Sequence, residues 1–192
     1  MRQAILLLAG FACGAALAAD PPNPNAAPSK SVATPPESQT PIGASAQLKP
    51  TQGNSVEGLL SLNTDQGGVR IGGTIKGLQP GAEQGFHIHE KGDCSAPDAS
   101  SAGGHFNPTK QPHGNPKTKG SPRHLGDMVN LRADAKGVAT VDVFIDRATL
   151  HTSEPTNLVG KAIVVHQKAD DYTSQPSGNS GDRVACGVIS SR

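Results

Sequence analysis

Residues 55–63 read SVEGLLSLN and alternate between apolar and polar side chains. On a β-strand, successive side chains point to opposite faces, so Val56, Leu60 and Leu62 would share one face. Glu57 would then lie on the other face. This period of two predicts a strand that buries one side in a core.

Further runs with β-like character occur along the chain, separated by Gly, Pro, Asn and Asp. The eight runs cover residues 46–50, 55–63, 68–77, 83–90, 127–133, 137–146, 160–167 and 183–190. The chain has 23 Gly and 16 Pro among 192 residues but no Trp, which favours a turn-rich β protein over a helical one. We therefore predict an all-β domain. The pair Gly72-Gly73 inside the third run predicts a bulge.

Two long stretches, 91–126 and 169–182, contain no credible strand. Long loops in a compact domain are usually functional or disordered. The first stretch holds three histidines and Cys94, which favours a loop fixed by a metal ion and a disulfide.

The N-terminal residues are typical of an export signal. Arg2 provides a positive charge, an apolar run follows, and Ala-Leu-Ala at 16–18 fits a signal-peptidase site, so we predict a signal peptide over 1–19. The apolar run is too short and too rich in Gly and Ala for a good membrane span, with an uncleaved anchor as the alternative. Cys13 raises lipid attachment as a third interpretation, although Gly10 stands where a Leu is usual.

The next segment, 20–43, is dense in Pro, Ala, Ser, Asn and Gln. It cannot bury enough apolar surface to offset its ordering entropy, so we expect a disordered linker followed by a domain over 44–192. The chain has 17 Lys and Arg against 16 Asp and Glu and no basic block, which gives no reason to expect nucleic-acid binding.

Two cysteines, Cys94 and Cys186, would remain after removal of the signal peptide. An even pair in an exported protein suggests one disulfide, because such proteins fold in an oxidising compartment. Two unpaired buried thiols are the alternative.

The segment Phe86-His87-Ile88-His89 is the sharpest chemical feature of the sequence. On a strand, Phe86 and Ile88 would enter the core while the two histidines project together from the opposite face. Two imidazoles about 6–7 Å apart along a strand can converge on one metal ion. Two solvated histidines on a barrel exterior are the alternative.

The loop histidines favour the metal interpretation. His105, His113 and His124 lie in the first long stretch, and Asp127 follows His124 by three residues. Three imidazoles and one carboxylate form a tetrahedral set suited to zinc.

The last two histidines differ from each other in their surroundings. His166 ends an apolar strand, at a rim where His89 could also lie, with a solvent-facing strand end as the alternative. His151 lies in a polar connection, and we interpret it as a surface residue with no role.

Four motifs occur in an order that resembles the copper/zinc superoxide dismutase family. They are His87-Ile88-His89, Gly104-His105-Phe106-Asn107-Pro108, His124-Leu125-Gly126-Asp127 and Gly181-Asp182-Arg183-Val184-Ala185-Cys186-Gly187-Val188-Ile189. The resemblance runs from about residue 44 to the C-terminus. It implies an eight-stranded Greek-key β-barrel or sandwich in which the two long loops form the site. It also implies dismutation of superoxide to oxygen and hydrogen peroxide by a copper centre that cycles between Cu(II) and Cu(I).

The resemblance assigns two sets of metal ligands, for one copper and one zinc per subunit. It implies that copper is bound by His87, His89, His105 and His166. It implies that zinc is bound by His105, His113, His124 and Asp127. The shared residue His105 would bridge the two metals through both ring nitrogens and would exchange a proton during turnover.

Two more residues receive roles from the resemblance. Asp170 would hydrogen-bond one ligand of each metal and so link His87 to His113, although the adjacent Asp171 is also available. Arg183 would sit beside the copper and dock the superoxide anion through its fixed donors and permanent charge.

A cationic funnel would raise the rate at which an anion meets the site. The lysines that could form it are Lys91, Lys110 and Lys168, and each could equally be a plain solubilising charge.

The resemblance also implies a disulfide between Cys94 and Cys186. Ten residues separate Cys94 from His105, and the spacing of 113–124 is longer by two than in eukaryotic members. These spacings and the signal peptide resemble the bacterial branch, so we predict a periplasmic enzyme. The loop after Asp170 is short, which puts eukaryotic dimer contacts in doubt, and bacterial members include both monomers and homodimers.

A non-catalytic metal-binding domain of the same fold is the alternative function. Such relatives typically lack a copper ligand or the docking arginine, whereas this chain has all of them. A structural β-sandwich with incidental histidines would have to explain six histidines and an aspartate at family spacings. Fold alone does not give function, so the prediction rests on the site.

Overall fold

The computed structural model describes residues 43–192, and the interpretations of 1–42 as signal peptide and linker, including Cys13, lie outside the described residues. Within 43–192 there are nine β-strands and one short 3-10 helix, Ser100–Ala102. The strands are β1 (Gly43–Pro50), β2 (Glu57–Asp65), β3 (Gly68–Lys76), β4 (Glu83–Gln84), β5 (Phe86–His89), β6 (Leu131–Arg132), β7 (Ala139–Asp146), β8 (Ala162–His166) and β9 (Arg183–Ser191). No helix in this part of the chain has the length and apolar character required to span a bilayer.

Each of the eight predicted runs contains a strand, which confirms the all-β prediction. The ninth strand arises because the run 83–90 divides at Gly85. The Gly85 N–H donates to the carbonyl of Lys168, and its own carbonyl accepts from the His166 N–H, both at 2.8 Å. Gly85 therefore marks the point where the chain leaves its pairing with β6 and begins to pair with β8.

The strands close into a barrel. Seven of them form one antiparallel sheet in the order β5-β8-β9-β1-β2-β3-β7, and β4 pairs with β6 in a second ladder. β4 continues into β5, and a tight turn at 134–138 leads β6 into β7, so the short ladder joins the two edges of the long sheet. The connections from β3 to β4 and from β7 to β8 join strands that are not neighbours, which confirms the Greek-key barrel.

The barrel interior follows the predicted period of two. Leu60 and Leu62 of β2 are fully buried and Val56 just before the strand is buried, while Leu59, on the opposite face, is 66% exposed. Burial of a large aliphatic side chain contributes about 1.5–3 kcal/mol, so this alternation fixes the register of β2.

The predicted bulge at Gly72-Gly73 is wrong. β3 keeps a continuous register there, with Leu60 opposite Gly73 and Ser61 opposite Gly72. A side chain at 73 would collide with the Leu59 carbonyl, and Gly73 has φ of 150°. The glycine therefore permits close contact between β2 and β3 and does not interrupt the ladder.

A register shift occurs instead at the end of β8. Val165 pairs with Ala185 but His166 pairs with Arg183, which leaves Val184 as the extra residue on β9. Bulges of this kind re-aim side chains next to functional sites. This one brings His166 and Arg183 opposite each other at one end of the barrel.

Candidate metal centre

β5 positions two histidines beneath the first long loop. His87 and His89 share one face of the strand, and their ring centroids are 6.5 Å apart. Both are almost fully buried, because the loop packs along the outer edge of β5. The Ile88 N–H donates to the Gly126 carbonyl at 2.9 Å, and the Ile88 carbonyl accepts from the Phe106 N–H at 2.7 Å. The alternative of solvated histidines on the barrel exterior is therefore wrong.

Four buried histidines converge at this end of the barrel. One ring nitrogen of each lies within 4.8 Å of those of the others. This four-histidine set consists of His87, His89, His105 and His166. The Nε2 atoms of His89 and His166 are 3.3 Å apart. Imidazole ligands suit copper in both of its common oxidation states.

A second cluster surrounds the carboxylate of Asp127. This aspartate set consists of His105, His113, His124 and Asp127, all buried. Asp127 Oδ1 lies 2.8 Å from His105 Nδ1, 3.0 Å from His113 Nδ1 and 3.2 Å from His124 Nδ1. Its Oδ2 accepts hydrogen bonds from the backbone N–H groups of Gly114 and His124 at 3.1 and 2.9 Å. Three nitrogens and one oxygen at such distances form the closed donor set that structural zinc takes.

The two sets share His105, with a different ring nitrogen in each. Its Nδ1 faces Asp127, while its Nε2 is buried and has no hydrogen-bond partner. The rings of His105 and His87 are 4.0 Å apart between centroids. One imidazole therefore separates the two sets and can serve both.

The unpartnered atoms support a fit to two metal ions. Within residues 43–192, five buried side-chain nitrogens or oxygens lack a hydrogen-bond partner. Four of them belong to the two sets: Nδ1 of His87, His113 and His124, and Nε2 of His105. A buried polar group left unpaired costs about 1–3 kcal/mol, and a metal ion at each set would satisfy these nitrogens as ligands.

Asp170 links the two sets through hydrogen bonds to one histidine of each. Its Oδ2 accepts from His87 Nε2 at 2.8 Å, and its Oδ1 accepts from His113 Nε2 at 2.9 Å. These bonds hold the protons on Nε2 of both rings and leave each Nδ1 free to bind a metal. Asn130 fixes the backbone of Asp170, since its amide donates to the Asp170 carbonyl at 3.0 Å and accepts from the Asp170 N–H at 2.9 Å. The neighbouring Asp171 bonds locally to the 173–174 turn.

Burial keeps several imidazoles neutral. It lowers the pKa of His105 to about 4, although Asp127 acts in the opposite direction. Burial lowers the pKa of His166 to about 3 and that of His89 well below its usual value. These rings are therefore unprotonated at pH 7, which is the form that binds metals.

His113 behaves differently because two carboxylates flank it. Burial alone would lower its pKa, but the neighbouring carboxylates of Asp127 and Asp170 raise the pKa of His113 to about 9. Burial would likewise raise the pKa of Asp127, yet the surrounding imidazoles hold it well below the usual value. In the metal-free protein at pH 7, His113 therefore carries a proton that a metal must displace.

Zinc binding at pH 7 is expected to release about one proton, from His113. The apparent zinc affinity should rise about tenfold per pH unit between pH 7 and 9 and then level off, since above that pKa the ring is already neutral. Titration calorimetry in two buffers of different ionisation enthalpy measures the proton count. Zinc binding without proton release at pH 7 would contradict a protonated His113 in the metal-free site.

A cavity of about 370 Å³ leads to the four-histidine set, and Arg183 lies on its wall. Three histidines of the set, His89, His105 and His166, also line it. Arg183 donates to the backbone carbonyl of Ala99 at 2.6 Å and to that of Gly103 at 2.7 Å. Burial lowers the pKa of Arg183, but a guanidinium remains protonated in proteins. The cavity therefore presents a fixed cation beside three imidazoles.

None of the three candidate lysines lies among the described residues that line this cavity. Lys91 lies with Lys161 in a separate pocket of about 260 Å³. The aliphatic chain of Lys168 packs near Gly181, which does line the cavity. Of the three candidate lysines, Lys168 is thus one whose side chain we find next to a residue of the cavity wall.

A disulfide joins the first loop to the last strand. Cys94 and Cys186 are bonded, with Cα atoms 5.8 Å apart and a sequence separation of 92. The same loop supplies the carbonyls of Ala99 and Gly103 that hold Arg183. The bond therefore restrains both the barrel and the guanidinium.

The double variant Cys94→Ser, Cys186→Ser is expected to lose about 2–5 kcal/mol of unfolding free energy, because a long closed loop is released. Urea unfolding monitored by circular dichroism measures the loss. The variant should also bind anions at the cavity more weakly, since the carbonyls that hold Arg183 become mobile. A variant with unchanged anion binding would show that the disulfide does not act on Arg183.

Comparison with known proteins decides the family. A family model described as copper/zinc superoxide dismutase (SODC) matches residues 56–189. The chain belongs to the copper/zinc superoxide dismutase family. Cu-Zn superoxide dismutase 2 of Aquifex aeolicus is 44% identical over 151 residues, which cover 77% of this chain and 86% of that protein.

Other proteins that are similar to this chain are named superoxide dismutase-like. The superoxide dismutase-like protein YojM of Bacillus subtilis is 37% identical over 180 residues, covering 92% of this chain and 88% of that protein. The crystal structure of a SOD-like protein from Bacillus subtilis matches with a TM-score of 0.68 and 39% identity, over 77% of this chain and 98% of that chain.

The motifs of the superoxide dismutase family did not reveal two glycines that shape the site. A side chain at Gly85 would approach the Ser180 Cβ at 2.8 Å and the His87 ring at 3.2 Å. A side chain at Gly178, where φ is 68°, would collide with Asp170 Oδ1 and come within 2.7 Å of His113 Nε2. Both glycines permit backbone to lie directly against the histidines, which no local sequence pattern indicates. His151 is exposed, and it forms no hydrogen bond to a residue of either set.

Proposed function

We propose that the chain is a superoxide dismutase that converts two superoxide anions and two protons to oxygen and hydrogen peroxide. The observation that carries the proposal is the convergence of Arg183 and the four-histidine set on one cavity. A carrier of metal ions needs ligands but has no need for a fixed cation beside them. An anionic substrate does need such a cation.

The proposal assigns one copper and one zinc to each subunit. The four-histidine set would hold copper, because it offers only imidazole nitrogens and lies on an accessible cavity. The aspartate set would hold zinc, because it is closed and contains a carboxylate. Copper would supply one-electron exchange with superoxide in both directions, while zinc, which has no redox chemistry, would fix the loop.

His105 is the residue that would handle a proton. Its Nδ1 faces Asp127 in the aspartate set, so the exchangeable position is the other ring nitrogen, Nε2, which has no hydrogen-bond partner. The Nε2 atom would take up a proton when it is not acting as a ligand and would donate it to the departing product.

Arg183 would bind and orient the substrate anion. Its two hydrogen bonds to the carbonyls of Ala99 and Gly103 fix the plane of the guanidinium. His89 Nδ1 bonds to the same Gly103 carbonyl at 2.9 Å, so the position of the arginine is tied to that of the histidine set. Preorganised charge of this kind acts without any reorganisation when the anion arrives.

We further propose that the protein works in the periplasm, as a monomer or a homodimer. The support is the signal-like segment over 1–19 and the disulfide between Cys94 and Cys186, which is typical of an oxidising compartment.

A metal-binding protein without dismutase activity is the second candidate. It is favoured by the similarity to a relative that is named superoxide dismutase-like. The complete four-histidine set and the arginine favour the enzyme.

The two candidates separate in one experiment. The full chain is loaded with copper and zinc, metal content is counted by atomic emission, and superoxide consumption is followed with and without copper. The enzyme is expected to hold one of each metal and to consume superoxide in proportion to its copper content. Copper bound at one per chain without consumption would support the second candidate.

A further inference from the structure

The second long loop contacts the aspartate set through an amide side chain. Gln175 Oε1 accepts from the His113 N–H at 2.9 Å, and Gln175 Nε2 donates to the His113 carbonyl at 2.9 Å. One side chain thus satisfies both backbone groups of one histidine. The two segments are 62 residues apart along the chain, so this contact is tertiary.

His113 is held on several sides as a result. Its Nδ1 faces Asp127 at 3.0 Å, and its Nε2 donates to Asp170 at 2.9 Å. Among the described residues, Gln175 is the one whose side chain forms hydrogen bonds to the backbone N–H and carbonyl of His113. The two carboxylates therefore orient the ring. Gln175 holds the N–H and the carbonyl of His113, and Asp127 also accepts from the adjacent Gly114 N–H.

The residues that follow Gln175 form part of the cavity wall. Pro176 and Ser177 line the cavity together with Arg183. Gly178 then lies against Asp170 and His113, where only a glycine fits. The segment 175–178 therefore contacts the aspartate set at both ends and the cavity in its middle.

We propose that Gln175 is a positioning residue that clamps the backbone of His113 and thereby couples zinc binding at the aspartate set to the cavity wall at 176–177. The inference rests on the proposed function for the identity of the metal. Residues behind metal ligands typically change metal affinity by about 10–100-fold when they are replaced. Gln175 is an exposed residue, so its effect is expected at the lower end of that range.

The test compares two variants with a matched control in the full chain. Gln175→Ala removes both hydrogen bonds, and Gln175→Glu keeps the acceptor but loses the donor to the His113 carbonyl. The control is Gln111→Ala, because Gln111 is also an exposed loop glutamine, and its side-chain amide bonds only to the nearby Thr109 carbonyl at 3.2 Å. Zinc affinity is measured by competition with a chromophoric chelator, and the ligand geometry is followed by the visible bands of Co(II) in place of zinc.

Gln175→Ala is expected to bind zinc about tenfold more weakly and to shift the Co(II) bands, with Gln175→Glu between it and the wild type. Hydrogen exchange at saturating zinc should show faster exchange over 174–178 in both variants, whereas Gln111→Ala should match the wild type. Zinc affinity within twofold of wild type and unchanged Co(II) bands in Gln175→Ala would overturn the inference, even if the thermal midpoint fell. These measurements do not use superoxide, so a chain that binds zinc but lacks dismutase activity would contradict the proposed function alone.

Discussion

The variant His166→Ala is expected to lose superoxide dismutation by more than about a hundredfold while it still binds one zinc. His166 belongs to the four-histidine set but not to the aspartate set. Replacing residues that only support metal ligands already costs about 10–100-fold in affinity or activity, so removing a ligand should cost more. Loss of the buried ring also opens space beside His89 Nε2, which lies 3.3 Å away.

The measurement pairs superoxide decay with metal counting on the same sample. His151→Ala is the matched control, because His151 is an exposed histidine outside both sets. It should keep the wild-type rate and both metals. A His166→Ala chain that retained its rate would remove His166 from the copper assignment, and one that lost zinc would show that the two sets are not separable.

The variant Arg183→Gln is expected to lower the rate of dismutation by about tenfold or more and to weaken its dependence on salt. Steering by fixed charge raises association rates by about 10–10³-fold, and salt screens this effect. Among the described residues that line the cavity, Arg183 is the one arginine, and no lysine lines it. Its removal should therefore take away most of the local attraction for an anion.

Two further variants separate charge from position. Arg183→Lys keeps the charge but cannot reproduce the two bonds to Ala99 and Gly103, so an intermediate rate is expected. Arg132→Gln removes an equal charge from an exposed position on β6, where the arginine pairs with Glu83. It should leave both the rate and its salt dependence unchanged. An Arg183→Gln chain with the wild-type salt response would exclude arginine as the docking group.

Local patterns were sufficient for the strands and for the residue types of the site. The alternation in 55–63 predicted the buried face of β2, because side-chain direction on a strand depends only on the position along it. The same rule placed His87 and His89 on one face of β5. The spacing of His124 and Asp127 in one turn likewise brought them together.

Features that depend on contacts between distant segments were not accessible to such patterns. The division of one run at Gly85 depends on the approach of β8 and of the loop at Lys168. The bulge before His166 depends on the register of β9, and the glycine pair that suggested a bulge serves close strand packing instead. The hydrogen bonds between Gln175 and His113 join two loops that are distant in the sequence, so no local sequence pattern predicts this contact.

Whether a lysine lines the cavity was likewise not predictable from the sequence. Lys91, Lys110 and Lys168 all lie near site residues in the sequence, yet none of them lines the cavity. In a loop without regular strand geometry, the position of a residue along the chain does not show which way its side chain points. The contribution of more distant charges to steering is a matter for measurement, and the salt dependence of the rate reports it directly.

The most direct test of the central claim is the rate constant of superoxide decay catalysed by the full chain loaded with copper and zinc, measured at low and at high ionic strength. A dismutase that steers its substrate should show a rate constant approaching the diffusional ceiling of about 10⁸–10⁹ M⁻¹s⁻¹ at low salt and a clear fall as salt rises. Copper bound at the four-histidine set with no acceleration of superoxide decay at either ionic strength would contradict the central claim.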